Sequence, residues 1–276
     1  MQVENNVLYD QSVYLNTTQS LNKIATGKEL NSAADNAASL AISEELIAQT
    51  SGISQAIDNT NSAIATMQIG DQAFNEQSKI LDQVKEKLLQ ASTSTTSQEG
   101  RESLLNDIQG FMDNLNNIAS STNYNGQTLL QNGINDSSAT TGLQFQSGED
   151  ASSLIETDSI QSNTTGLGLD SLVSQDASTF TIDTARSFLD QVDNALNTLN
   201  DYRSNFGSSQ VQLESNGRSL LSAYTQTSNS SSVLTDVDYS KEVANFSKQN
   251  ILAQIGAYAA AQSNNINQSI VTRALS

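Results

Sequence analysis

The stretch LIAQTSGISQAIDNTNSAIATMQIGDQAFNEQSKILDQVKEKLL, Leu46 to Leu89, decides the fold. Every seventh residue along it reads Leu46, Ile53, Thr60, Met67, Phe74, Leu81 and Leu88, with Thr60 the one polar member. A second seam adds Ile57 and Ile64, then Ile80 and Val84. Gly52 and Gly70 weaken the pattern, and no Pro breaks it. An apolar residue at this sustained spacing specifies a helix whose stripe packs on other helices. At 1.5 Å per residue such a helix is roughly 65 Å long. A compact globule of this size has no use for that length, so a long bundle or coiled coil is expected.

Working outward, Ser92 to Ser97 is a polar turn, and a second helix is predicted from about Glu99 to Ser121. Its Leu104, Ile108, Phe111, Met112, Leu115 and Ile118 fall mostly at steps of three and four, giving one apolar stripe. It should fold back antiparallel on the first helix. Asn123-Tyr124-Asn125-Gly126 then supplies turn chemistry, because Asn and Gly tolerate positive φ. Helix returns at about residue 184. Phe188, Val192, Ala195, Leu199, Tyr202 and Phe206 step by four and three, and the seam continues through Leu213, Leu220 and Leu234. The expected core joins Ile53, Ile57, Ile64, Met67, Phe74, Leu81 and Leu88 to Ile108, Phe111 and Leu115, and to Phe206, Leu213 and Leu220. Between the arms, 131–183 is rich in Gly, with alternations at Leu143-Gln144-Phe145 and Phe180-Thr181-Ile182 that read as short strands. A loose Ser/Asp-rich insert is the alternative there.

Composition narrows function. The 276 residues carry 30 acidic and 12 basic side chains, a formal charge of -18. With 36% hydrophobic and 15% charged residues, 14 Gly, and no Pro or His, roughly 44% is left for Ser, Thr, Asn and Gln. Lack of Cys excludes disulfides, thiolate nucleophiles and iron–sulfur clusters, and lack of His excludes Ser–His and Cys–His pairs. The acidic surplus argues against nucleic acid and anionic membrane as partners. Carboxylate pairs such as Glu44-Glu45 and Asp236/Asp238 sit on helices or solvated turns without a convergent constellation, so no enzyme and no cofactor is expected. No run of about 20 apolar residues could span a membrane. The first residues, Met1 to Asn6, have neither a basic nor an apolar region of the secretory type.

The two ends are amphipathic as well. Leu8, Leu15, Leu21 and Ile24 mark one, and Val243, Phe246, Ile255, Ile266 and Ile270 the other. Rich in Ala, Asn and Gln, neither has enough large apolar residues to bury a full core alone. Such helices order when another chain covers their second face, which points to assembly.

The same residues carry a family resemblance. Leu21 to Ile42, LNKIATGKELNSAADNAASLAI, resembles the N-terminal signature of bacterial flagellin. Asn123 to Leu130 resembles that family's Phe-Asn-Gly turn, and Asp236 to Glu242 with Asn250 to Gln254 resembles its C-terminal signature. Glu29 stands where the family usually has Arg, Asn36 where it has a second Asp, and Ser39 where it has Gly. The resemblance implies a mainly α fold: an elongated antiparallel helical bundle or coiled-coil rod with a small central β-hairpin region and no sizeable outer domain. It assigns 1–45 to an N-terminal helix of an inner, channel-lining domain, and 46–130 to the N-terminal arm of the rod. It assigns 131–185 to the rod's hairpin region, 186–235 to its C-terminal arm and 236–276 to the C-terminal inner helix.

Functionally, the resemblance implies a structural subunit of the extracellular flagellar filament, exported unfolded through the type III apparatus without a cleaved signal peptide. Leu8, Leu15, Leu21, Ile24, Val243, Phe246, Ile255, Ile266 and Ile270 would then form polymerisation contacts. It further implies an export chaperone on the C-terminal segment, and hook-junction and filament-cap proteins as partners. The segment that a Toll-like receptor reads in the family corresponds to Gln83 to Lys87. Gln83 is neutral where the family is basic, Lys87 replaces Leu, and only Asp107 on the second helix fits, so weak recognition is expected. A hook–filament junction protein of the same superfamily, or a soluble coiled-coil adaptor, is the competing reading.

Overall fold

Six helices and two minimal hairpins make up the chain in the computed structural model, which describes residues 2–131 and 137–275, with side chains described from residue 11 onward except 267, 271, 274 and 275. The helices are α1 (Gln2–Thr26), α2 (Ala33–Ala91), α3 (Gln98–Ser121), the single turn α4 (Asp170–Val173), α5 (Ile182–Thr235) and α6 (Tyr239–Leu275). The strands pair as β1 (Asn123–Tyr124) with β2 (Gln127–Thr128), and β3 (Gln144–Gln146) with β4 (Leu154–Glu156). These elements form two compact units. A core unit comprises Gly52–Ala223, and a terminal unit comprises Met1–Ser51 with Tyr224–Ser276.

The core unit is a helical bundle built on the heptad seam. Gln77 Nε2 donates to the Leu115 carbonyl, and Lys87 pairs with Asp107, so α3 runs antiparallel to α2. Arg203 Nε lies 3.0 Å from Asp71, and Lys85 pairs with Asp193, so α5 also runs antiparallel to α2. Met67, Phe74, Leu81, Leu88, Ile108, Leu115, Phe206 and Leu213 are buried in one continuous cluster, with Ile64 and Phe111 packed against it. Ile53 is buried outside that cluster, and Ile57 and Leu220 are half-buried. Burial of each large side chain contributes about 1.5–3 kcal/mol. Gly70, which weakens the seam on paper, faces Phe206: a Cβ there would collide with Phe206 Cε1. The missing side chain lets that ring stand edge-on to Phe74, 5.3 Å between centroids.

The middle of the chain is docked on this core. Asn125 (φ 51°) and Gly126 (φ 81°) form the two-residue turn between β1 and β2, as an Asn-Gly hairpin requires. In the second hairpin Phe145 pairs with Ile155. Asn59 of α2 and Asn216 of α5 donate to the carbonyls of Gln146 and Ser147, fixing this hairpin to both helices. Ile160, Leu167, Leu169, Leu172 and Phe180 join the core cluster. The loose-insert alternative for 131–183 therefore fails over the described residues.

Two expectations are corrected. Phe180-Thr181-Ile182 is not a strand: a 3-10 turn (Ala177–Thr179) leads into α5, and Thr181 starts that helix. Thr181 N donates to Thr184 Oγ1 at 2.6 Å, and Thr184 N to Thr181 Oγ1 at 3.3 Å, a reciprocal cap that outweighs the local alternation. Residues 1–45 are not one helix either. The chain turns between α1 and α2 at Gly27 (φ 72°). Asn36 is extended, and its Oδ1 accepts from Ser39 N, so regular helix begins after Asn36.

Candidate functional site

The terminal unit is organised by a joint between the end of α1 and the start of α6. Glu29 N donates to the Thr235 carbonyl at 2.7 Å, Val237 N donates to the Gly27 carbonyl at 3.1 Å, and Lys28 faces Asp236 in an antiparallel bridge. α1 ends at this joint and α6 starts from it, so the two pack side by side and antiparallel. Gly27 is needed twice over. Its φ of 72° disfavours a side chain, and a Cβ would lie 2.8 Å from Tyr239 Oη. Asp35 Oδ2 accepts from Asn31 N, Ser32 N and Ser32 Oγ. These bonds, the Asn31 amide first, hold the Asp35 carboxyl below its ordinary range.

Two of the three departures from the family signature have a local partner in the structure. Glu29, in place of Arg, takes Lys23 as its partner, with Lys23 Nζ 2.6 Å from Glu29 Oε1. That hydrogen bond pushes the Lys23 ammonium above its ordinary range, against a smaller opposing effect of burial. Asn36, in place of Asp, keeps the capping bond to Ser39 N. Nothing in the structure explains Ser39 in place of Gly.

Away from the joint the unit has little interior. Its buried hydrophobic residues, among those described, are Val13, Leu30 and Val237. By contrast, fourteen of the twenty large apolar side chains exposed among the described residues belong to it. The sides of α6 explain the imbalance. Glu242, Phe246, Ala253 and Ala260, spaced by four, seven and seven, lie on the side shielded from solvent. Ile251, Ile255, Tyr258, Ile266 and Ile270 are exposed, Ile255 by 58% and Tyr258 by 79%. At 100° per residue they spread over roughly 120° on the opposite side. Five large apolar groups of α6 thus face outward, while Phe246 and Leu252 are half-buried.

Of the residues expected to make polymerisation contacts, Leu15, Leu21, Val243, Ile255, Ile266 and Ile270 are exposed, and Ile24 and Phe246 are half-buried. The Leu8 side chain lies outside the described residues. Sequence reasoning missed Tyr14, Val233, Tyr239, Ile251 and Tyr258, which are exposed as well. The spacing of Ile251, Ile255 and Tyr258 by four and three was the available signal. It also missed the Lys23–Glu29 ion pair, whose partners lie on either side of the Gly27 turn. In the core unit, Gln83 is exposed, and Lys87 Nζ stands 3.1 Å from Asp107 Oδ2. No described helix is long and apolar enough to cross a membrane.

Comparison with known proteins covers both arms. The model of the bacterial flagellin N-terminal helical region matches residues 9–136, and that of the bacterial flagellin C-terminal helical region matches 189–272. A flagellin of Halalkalibacterium halodurans is 29% identical over 263 residues, covering 95% of this chain and 93% of that protein. A flagellin of Bacillus subtilis is 29% identical, covering 92% of this chain and 91% of its own length. Flagellin B of Helicobacter pylori is 42% identical over 113 residues, 41% of this chain but 22% of that longer protein. Among solved structures, Bacillus cereus flagellin superposes with a TM-score of 0.51 at 25% identity, over 59% of this chain and 88% of that one. A Vibrio parahaemolyticus chain described as a flagellar hook-associated protein shares the fold, with a TM-score of 0.59 at 10% identity, over 72% of this chain and 98% of that one.

Proposed function

The chain belongs to the bacterial flagellin family, a structural and not an enzymatic one, and from that premise we propose how it assembles. It is a subunit of the flagellar filament, an extracellular polymer of the family, and its partner is first of all another copy of itself. The terminal unit supplies the polymerisation contacts: Leu15, Leu21 and Ile24 of α1, and Val243, Phe246, Ile255, Ile266 and Ile270 of α6, with Leu8 at the N-terminal end. One observation carries this reading. Ile251, Ile255, Tyr258, Ile266 and Ile270 of α6 are exposed on the side away from its shielded one, so the helix pair is half of a packing unit. Exposed apolar area of this kind is covered at a favourable free energy of about 25 cal/mol per Å².

Assembly on this scheme begins with subunits delivered unfolded by the type III apparatus. The C-terminal segment 236–276, with its unmatched apolar side, is where an export chaperone would bind beforehand. Hook-junction and cap proteins would contact the same terminal helices at the two ends of the filament. The family-model matches on both arms favour a filament subunit over the junction protein or an adaptor. Recognition by the Toll-like receptor should be weak. Lys87 is engaged by Asp107 and offers a charge where the family has an apolar anchor, and losing such an anchor costs a few kcal/mol, on the order of 2 or more. A reporter-cell assay giving full potency would refute that.

The test of assembly is seeded elongation watched by electron microscopy, under salting-out conditions that strengthen apolar burial. The full chain should extend short filament seeds into long helical filaments. A chain truncated at 240 should not extend them, while its core unit stays folded. Elongation by the truncated chain would sink the assignment of the interface to α6. Capped stubs from the full chain would favour the junction protein.

A further inference from the structure

We propose that Gln77 is the key that fixes where the central segment 160–172 seats on α2 and α3. The inference concerns the core unit alone and does not depend on the assembly reading. Three residues after each member of the seam from Ile53 to Leu88 lies a second buried residue: Ala56, Ala63, Gly70, Gln77, Val84 and Ala91. Gln77 is the one polar member of this second seam, and it is fully buried. A lone polar residue in an apolar seam specifies register at some expense of stability. Thr60, the polar member of the first seam, is satisfied within its own helix, where it donates to the Ala56 carbonyl. Gln77 reaches out of its helix instead. Its Nε2 donates at 3.2 Å to the Leu115 carbonyl of α3 and at 3.0 Å to the Ser162 carbonyl of the central segment. Both neighbours are acceptors, so the amide must turn its NH2 group toward them. The Gln77 Oε1 and the buried Ser162 hydroxyl find no hydrogen-bond partner among the described residues.

The segment needs such a key. Ile160, Leu167, Leu169 and Leu172 hold it in the core, but apolar burial is non-directional. Leu167 and Leu169 lie two residues apart, so a slide by two would exchange one for the other at little apolar cost. Hydrogen bonds break the tie. Asn116, next to Leu115, is buried; its Oδ1 accepts from Thr164 N at 2.9 Å, and its Nδ2 donates to Thr164 Oγ1 at 3.1 Å. Ser162 and Thr164 are thus gripped by two points at one level of the bundle, which fixes both the position and the direction of the segment. Asn116 ties it to α3 alone, whereas Gln77 ties it to α2 and α3 at once.

Q77M tests the proposal in the full-length soluble chain, because Met keeps the unbranched shape and removes the donors. In the amide magnetic resonance spectrum, Thr164 and Leu169 should pass from one peak each to several or broadened ones. Their hydrogen exchange should speed by about tenfold. Phe206 of α5 should keep its single peak and its rate. The urea midpoint of the core unit should move by less than about 0.3 M, since the two lost bonds are offset by removal of an unpaired buried acceptor. S162A removes the unpaired hydroxyl and keeps the carbonyl, so it should leave the peaks of Thr164 and Leu169 single. The proposal is overturned if Thr164 and Leu169 keep single peaks and unchanged exchange in Q77M, or if Phe206 changes along with them. It is overturned as well if Q77M lowers the midpoint further or fails to fold, since Gln77 would then be a general stabiliser, or if S162A splits the peaks. Neither the terminal helices nor filament growth is read, so failure here is separable from failure of the assembly reading.

Discussion

The core unit and the terminal unit are built from the same helical periodicity, yet they satisfy it in opposite ways. Phe74, Leu81, Leu88, Leu115 and Phe206 of the core unit find one another within a single chain. Leu15, Ile255, Ile266 and Ile270 of the terminal unit find water. An apolar stripe therefore specifies a helix in both places but a finished fold in only one. What separates them is the partner side: α3 and α5 bring Leu, Ile and Phe to α2, whereas the shielded side of α6 offers Phe246 and Leu252 among Glu242, Gln249, Asn250, Ala253, Gly256 and Ala260.

The sharpest way to break this contrast is a charge on the exposed side of the terminal unit. I255D should abolish seeded elongation, because a carboxylate would be buried unpaired on assembly. The same change should shift the denaturation of the soluble chain by no more than about 0.5 kcal/mol, as for surface sites. Elongation at the normal rate would remove Ile255 from the interface. A cavity in the core unit should behave in the reverse manner. F206A should cost about 3–5 kcal/mol in urea unfolding followed by near-ultraviolet circular dichroism. A loss below about 1 kcal/mol would mean that the site collapses around the gap.

Smaller changes sharpen the comparison. G70A drives a methyl group into the Phe206 ring and should cost about 1–3 kcal/mol by overpacking. No cost would show that the ring can move aside. N36A removes the cap to Ser39 N and should cost about 1 kcal/mol, seen as faster exchange of the first turn after Asn36 and not in the core unit. Least in size is the pH response of the joint. The Lys23 pKa is raised, so its contribution is complete below the ordinary value of 10.5 and is lost as pH rises through the higher folded value. The Asp35 pKa is lowered, so its contribution is complete above the ordinary value of 3.8 and is lost as pH falls through the lower folded value. Protection at the Glu29 amide, the exchange rate relative to the intrinsic rate at each pH, should be greatest between those limits, and protection that stays constant down to pH 2 would contradict it.

Much of this architecture was legible in the sequence because helices announce themselves by period. The seam from Ile53 to Leu88, the return stripe from Phe188 to Leu213 and the Asn125-Gly126 turn each carry a physical signal that needs no tertiary context. The central segment was not legible because its burial is polar. Ser162, Asn163 and Thr164 are buried, and Asn116 exchanges two hydrogen bonds with Thr164, at 2.9 Å and 3.1 Å. A reading by hydrophobicity places such residues in solvent. Phe180-Thr181-Ile182 misled for a related reason, since alternation over three residues cannot compete with a reciprocal threonine cap. At the candidate site, the apolar stripes of α1 and α6 were visible, but which side each would turn outward was not. That depends on the pairing of two helices more than 200 residues apart. The joint was least visible of all, because Lys23 and Glu29 meet only after Gly27 has turned the chain.

The central claim is that the terminal unit is half of an interface completed by other copies of the chain. A cryo-electron microscopic reconstruction of assembled filaments, at a resolution that places side chains, tests it most directly. Ile251, Ile255, Ile266 and Ile270 should each lie in van der Waals contact, within about 4.5 Å, with apolar atoms of a neighbouring copy. Filaments in which this side of α6 faces water, with the subunits held together through the core unit alone, would contradict the claim.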